Sequence, residues 1–471
     1  MTSPPPVLVW FRDDLRLADN LALTNAVRSG QPLMCVYVRP AGPACTTALD
    51  WWRLQSVQAL DQALCARGGR LHVFAAHAEQ LVPELVRYSG CTQVFWNRRY
   101  DPAGKATDTQ IKAQLKQMGV EVHSTPGNLL HEPWTVRSKT GQPFQVFGAF
   151  WRAACAAAHY PAPLAAPAGM VFAPCTAQPA AQVLPDVEVG ELPCWAKAMQ
   201  PYHAFTEQDA HAQLQDFIAH ALQTYTQDRD FPDKDATSEL SPFLRTGQIT
   251  PGQIWHAVAA AGVQGGGVKF LSEIGWREFA WSLLWEHPDL NTRNLKPEFD
   301  TMPWRVDPKG LARWQQGRTG YPLVDAGMRQ LWQTGLMHNR VRMVVASFLV
   351  KHLLIDWREG ERWFAHTLVD YDPASNPMNW QWNAGTGVES APFFRIMNPI
   401  LQSQKFDPDG AYIRTWVPEL AGLSGPDIHT PWQASLLQPT GYPSPIVEHT
   451  VARARALAAW KAQKNGGETG A

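Results

Sequence analysis

Four segments in the second half of the chain carry side chains that packing alone does not require. In YTQDRDFPDKDATSELS (225–241), Thr237, Ser238 and Ser241 bring hydroxyls to an expected helix start at Pro242. Free backbone N–H groups point outward at such a place and suit a phosphate, although ordinary capping by Thr or Ser accounts for the same residues. In FLSEIGWREFAW (270–281), Glu273 and Trp276 stand at i, i+3 beside Arg277. One helical face then carries a carboxylate and an indole, able to hydrogen-bond and stack on a planar ligand. A core Trp beside a surface Glu explains that segment taken alone. In GLMHNRVRMVVASFLV (335–350), Asn339 and Met343 share a face at i, i+4 with Arg342 beside them. An Arg and an Asn in an otherwise apolar helix need partners, and Asp370 and Asp372 are the candidates. The last segment, LVDYDPASNPMNWQWNAGTG (368–387), is polar and turn-rich, and reads as a site loop between helices.

These segments need a scaffold, and the pattern of the chain supplies two. Short apolar runs begin at Val7, Leu33, Leu71, Val94 and Val120, with helical stretches such as 46–67 and 104–118 between them. Buried strands alternating with helices imply a doubly wound, five-stranded parallel sheet in an α/β domain over 1–130. A Pro- and Ala-rich stretch follows, expected as a linker over 131–200. Over 201–471 strand signals nearly vanish and helical patterns at 268–285, 323–334, 338–351 and 359–368 predict a large all-α domain. The net charge of -1 excludes a strongly cationic coat but not a local basic groove. Seven Cys, none in a C-x-x-C pair, argue against a disulfide framework or a metal centre, and no metal site is expected. Neither a signal peptide nor a membrane span is evident, so the chain is read as cytoplasmic. The 21 Trp residues are the compositional anomaly.

WFRDDLRLADNLAL (10–23), TSELSPFLRTG (237–247), WREF (276–279), GRTGYPLVDAGMRQL (317–331), MHNRVRM (337–343), NWQW (379–382) and FFRIMNP (393–399) together resemble the photolyase/cryptochrome family, in its order and spacing from about residue 7 to 435. The resemblance implies a noncovalent, U-shaped FAD in the helical domain. By motif, Tyr225, Thr237, Ser238, Leu240 and Ser241 resemble phosphate-side contacts. Arg277, Asn339, Arg342, Asp370, Asp372 and Asn376 resemble the flavin and ribose side, with Asn376 toward flavin N5. A neutral amide there fits an anionic reduced flavin.

The family holds repair enzymes and photoreceptors. Members that split cyclobutane pyrimidine dimers carry Glu, Trp, Asn, Met and Trp at positions matched here by Glu273, Trp276, Asn339, Met343 and Trp382. Members acting on (6-4) photoproducts place His where Asn339 and Met343 stand. The resemblance therefore implies a light-driven repair enzyme, a deoxyribodipyrimidine photo-lyase working as a monomer on UV-damaged DNA. A cryptochrome photoreceptor of the same fold is the alternative. An excited flavin would give one electron to a flipped-out dimer and take it back after the ring bonds break. Glu273, if neutral in a buried setting, would stabilise the dimer radical anion. Arg229, Arg340, Arg395 and Lys405 match basic positions that grip phosphates. Trp380, Trp357 and Trp304 match a photoreduction chain running from the flavin to the surface. A second, antenna chromophore in the α/β domain is expected to be a deazaflavin or a flavin, or to be absent. Folate is disfavoured, because Gly104 stands where folate-binding members carry Glu.

Overall fold

The computed structural model describes residues 4–157, 160–173, 193–262, 264–423, 425–434 and 441–468. Residues 174–192 of the expected linker lie outside them.

Five strands form one parallel sheet: β1 (Val7–Phe11), β2 (Leu33–Arg39), β3 (Leu71–Ala75), β4 (Gln93–Asn97) and β5 (Glu121–Thr125), in the order β3-β2-β1-β4-β5. The two-residue period of β1 explains why the sheet is covered on both faces. Val7, Val9 and Phe11 pack with Leu23 and Leu60 on one side. Leu8 and Trp10 pack with Leu85 and Ile111 on the other. The strand order reverses between β1 and β4, so a crevice opens at their carboxyl ends, the usual place for a ligand in such sheets. A pocket of about 420 Å³ lies there, lined by Asp13, Asn97, Arg99 and Asn128 and closed by Arg245 and Arg277 from the helical part.

The remainder of the described chain is mostly helical. The 21-residue helix Gly266–Glu286 carries Glu273, Trp276 and Arg277. Asn339–Ser347 carries Arg342 and Met343 and passes into a π-helical turn, Phe348–His352. Trp357–Thr367 packs against Ser375–Ala384. That last helix corrects the expectation of a loop at 368–387. Asn, Pro and Gly mask its helical character, and ahead of it Asp372 accepts the N–H groups of Ala374 and Ser375 at 3.0 and 2.7 Å. Its approach to the neighbouring helix is close: a Cβ on Gly360 would overlap the Trp380 ring.

Candidate functional site

The helices enclose an open cavity of about 1940 Å³, counted out to its mouth. The free space inside it, about 610 Å³, lies within the roughly 300–1,000 Å³ of small-molecule sites and suits a sizeable cofactor. Most residues singled out in the sequence meet on its wall. Glu273, Trp276, Asn339, Met343 and Trp382 all line it. So do Tyr225, Ser238, Leu240, Ser241, Arg277, Arg342, Asp370, Asp372, Asn376 and Trp380, whereas Thr237 does not.

Asp370 is the polar centre of the wall. Its Oδ2 accepts from Arg342 Nη2 at 2.8 Å and from Ser241 Oγ at 2.7 Å, while its buried Oδ1 has no hydrogen-bond partner in the chain. Arg342 is fixed further by a 2.7 Å bond from Nε to the Met337 carbonyl. Asp372, the other expected partner of Arg342, serves elsewhere. It accepts from Trp281 Nε1 at 3.1 Å and lies 4.0 Å from Arg277 Nε. Arg277 donates to the Asn128 carbonyl at 2.7 Å and so ties this wall to the loop after β5. The hydroxyl cap expected at Pro242 is also corrected. The Ser241–Thr246 helix begins after Leu240 with no side-chain cap, because Ser241 turns to Asp370 instead.

Asn376 donates from Nδ2 to Glu361 Oε1 at 3.3 Å, and Tyr371 donates to the same oxygen at 2.9 Å. Burial raises the Glu361 pKa, and these two donors offset part of that rise. Glu361, Tyr371, Arg245 and Lys269 are participants that sequence reasoning missed. Lys269 alone left a local trace, its i, i+4 spacing to Glu273.

Glu273 does not have the apolar, buried setting that its neutral form needs. It is half-buried and bridges Lys269 Nζ, at 2.7 Å, and the Arg229 guanidinium. Trp276 is stacked on Phe147 with ring centroids 3.9 Å apart, which holds one aromatic wall in place.

Of the four basic residues expected to grip phosphates, Arg229 lines the cavity and Arg340, Arg395 and Lys405 do not. Arg340 pairs with Asp230 at 2.5 Å and lies over the Phe406 ring, which Lys405 also covers. Arg395 and Lys405 are exposed. His338, whose Nδ1 accepts the Arg340 N–H at the helix start, is lowered by burial to about 4 and so keeps that acceptor at neutral pH.

Trp380 lines the cavity with 2% of its surface exposed. Trp357 is fully buried and donates to Asn294 Oδ1 at 2.9 Å. Trp304 is half-buried and sits 6.5 Å from Phe393. The ring neighbours recorded for Trp380 are Phe364 at 5.0 Å and Trp314 at 6.2 Å.

A doubly wound sheet joined to a helical cavity with an unsatisfied carboxylate oxygen and aromatic walls is the framework of a two-part ligand-binding protein. Comparison with known proteins makes the class specific. Residues 7–168 match the family model described as DNA photolyase, and residues 270–462 that of the FAD binding domain of DNA photolyase. The deoxyribodipyrimidine photo-lyase of Agrobacterium fabrum is 48% identical, over 98% of each chain. Cryptochrome-1 of Arabidopsis thaliana is 37% identical, over 95% of this chain and 69% of that protein. The crystal structure of a class III photolyase from Agrobacterium tumefaciens superposes with a TM-score of 0.92 at 47% identity, covering 99% of both chains. The chain belongs to the photolyase/cryptochrome family, and its helical part is an FAD-binding domain.

Proposed function

We propose that this protein is a deoxyribodipyrimidine photo-lyase, a light-driven DNA repair enzyme that splits cyclobutane pyrimidine dimers. The observation that carries the reading is the convergence of Glu273, Trp276, Asn339, Met343 and Trp382 on one cavity wall, beside the polar cluster around Asp370.

The residues present fit FAD. Asp370 Oδ1, a buried acceptor with no partner in the chain, suits a cofactor hydroxyl, and Arg342 and Ser241 hold that carboxylate in place. Ser238, Leu240 and Tyr225 line the part of the wall read as the phosphate side, while Asn376 is held by Glu361. When bound in its reduced, anionic form, FAD supplies a light-excited one-electron donor for splitting the dimer without net redox change.

The chain's own residues do the rest. A damaged dinucleotide stacks poorly in the duplex and costs less to flip than normal bases. Trp276, braced by Phe147, and Trp382 flank the flipped dimer, and Met343 fills apolar space beside it. Glu273 and Asn339 offer hydrogen bonds to the pyrimidine edges. Arg229, Arg340, Arg395 and Lys405 bind flanking phosphates. Trp380, Trp357 and Trp304 would offer a route along which an external reductant at the surface could return electrons to a bound flavin.

The crevice at the strand ends has only about 30 Å³ of free space, so it is read as the antenna site for a deazaflavin or a flavin if its charged lining opens, and otherwise as an empty remnant. Gly104 disfavours folate: a Cβ there would fall 2.6 Å from Arg99 Cβ, so the Glu of folate binders does not fit without a shift. We read the protein as a monomer of the cytoplasm. None of the six cysteines among the described residues forms a disulfide, which suits a reducing compartment. No described helix is long and apolar enough to cross a membrane.

Glu273→Ala tests the assignment of the cavity. Repair per absorbed photon is expected to fall at least about tenfold while flavin content stays the same. Equal loss of both would make Glu273 a structural residue.

A further inference from the structure

Glu273 is assigned to the lesion and Arg229 to the DNA backbone, yet the two side chains form an ion pair with each other. A phosphate drawn to Arg229 therefore competes with a carboxylate in the cavity wall for the same guanidinium. Leaving such a charge without a partner costs more than the original contact was worth.

Lys269 resolves the conflict. Its Nζ lies 2.7 Å from Glu273 Oε1, the same oxygen that Arg229 Nη1 approaches. The neighbouring acid is arranged in parallel: Asp230 pairs with Arg340 at 2.5 Å and stands 3.9 Å from Arg229 Nε. The cluster thus holds three cations and two carboxylates. Each carboxylate has a cation of its own, Lys269 for Glu273 and Arg340 for Asp230, and Arg229 is the surplus. Helix stability does not explain the Lys269–Glu273 pair, because Lys placed N-terminal to Glu is the weaker orientation at i, i+4. Lys269 is also more exposed than the other two members, with 41% of its side chain accessible against 27% for Glu273 and 14% for Arg229.

We propose that Lys269 is a positioning residue that keeps Glu273 paired and aimed into the cavity when Arg229 moves from that carboxylate to a DNA phosphate. The inference rests on the repair reading above. It gives Lys269 a task distinct from phosphate contact, since Lys269 acts through Glu273 and Arg229 makes the contact.

A double-mutant cycle on the FAD-loaded full chain separates these roles. Binding to an undamaged duplex is measured against salt concentration, so that no lesion touches Glu273, and flavin content reports the integrity of each variant. Lys269→Met is expected to weaken binding about fivefold when Glu273 is present, and to have no effect in the Glu273→Gln background, where no carboxylate is stranded. Lys269→Arg is expected to restore wild-type binding. Equal weakening in both backgrounds would show direct phosphate contact by Lys269 and overturn the proposal, as would no weakening in either. Arg229→Met tests the underlying reading independently. It is expected to reduce the slope of log affinity against log salt by about 1. An unchanged slope would remove Arg229 from the DNA interface, and the proposal would fall with that assignment. A reduced slope without coupling between Lys269 and Glu273 would overturn the Lys269 proposal alone.

Discussion

Two of the charge clusters among the described residues are finished differently. At the carboxyl ends of the strands, Asp13 faces Arg245 at 3.0 Å, Arg53 at 3.3 Å and Arg99 at 3.7 Å around a pocket of about 420 Å³. In the helical part, Asp370 is paired on one oxygen only, in a cavity of about 1940 Å³. The residue types are the same. In the first cluster the protein saturates its own charges, and in the second it leaves an acceptor open. The contrast separates a carboxylate that braces its surroundings, Asp13, from one left open to a ligand, Asp370. Arg245 joins them, since it also donates to the carbonyl of Tyr371, between Asp370 and Asp372.

That contrast can be broken at either end. The largest effect is expected from Asp370→Ala, which removes the open acceptor and leaves Arg342 without its carboxylate. Flavin affinity should fall by about 3 kcal/mol, more than a hundredfold, measured by titrating apoprotein with FAD. Unchanged affinity would make Asp370 a brace like Asp13.

Asp13→Asn should cost about 2–3 kcal/mol of stability in urea, less than a fully buried pair because the Asp13 side chain keeps 19% of its surface, with flavin affinity little changed. Burial alone would raise the Asp13 pKa, but Arg245, Arg53 and Arg99 outweigh it and hold the carboxyl well below the usual range. Stability from this group is present above the unfolded value of about 3.9 and is lost as pH falls below it. The wild type should therefore weaken below about pH 4 by a component that the Asp13→Asn variant lacks.

Trp380→Phe bears on the site side of the contrast. Photoreduction of the oxidised flavin should slow at least about tenfold, while enzyme reduced beforehand still repairs. Loss of both would assign Trp380 to the cavity's shape rather than to electron delivery.

The smaller effect on stability is expected at Glu278, which pins the loop after β5 by accepting the Leu130 and His131 N–H groups at 2.9 and 3.1 Å. Burial lifts its pKa from 4.5 to about 7. The unfolded chain then binds fewer protons than the folded one between these values, so stability declines as pH rises through that window. Glu278→Gln should flatten the decline by about 2 kcal/mol, read from urea midpoints at pH 5 and pH 8.

The sequence carried the scaffold well because its signals are local. Each strand begins within one residue of its expected apolar run, and the helices at Gly266–Glu286 and Pro322–Thr334 match their periodic stretches. The cavity wall was legible through motif resemblance, which brought Glu273 and Trp382 together across more than a hundred positions. Failures arose where long-range contacts override local preference. Ser241 turns to Asp370 rather than capping its helix, and the Asn- and Pro-containing segment at Ser375–Ala384 is helical with Trp380 anchoring it in the core. The pairing of Glu273 with Arg229 joins positions far apart in sequence, and no local pattern reports it.

Repair itself decides the assignment. Reduced, FAD-loaded protein is mixed with an oligothymidine carrying a cyclobutane dimer, and recovery of thymine absorbance under blue light is compared with a dark control. Recovery in light alone is the expected result. A protein that binds and photoreduces FAD normally yet restores no thymine would contradict the repair assignment and place the chain among the photoreceptors of its family.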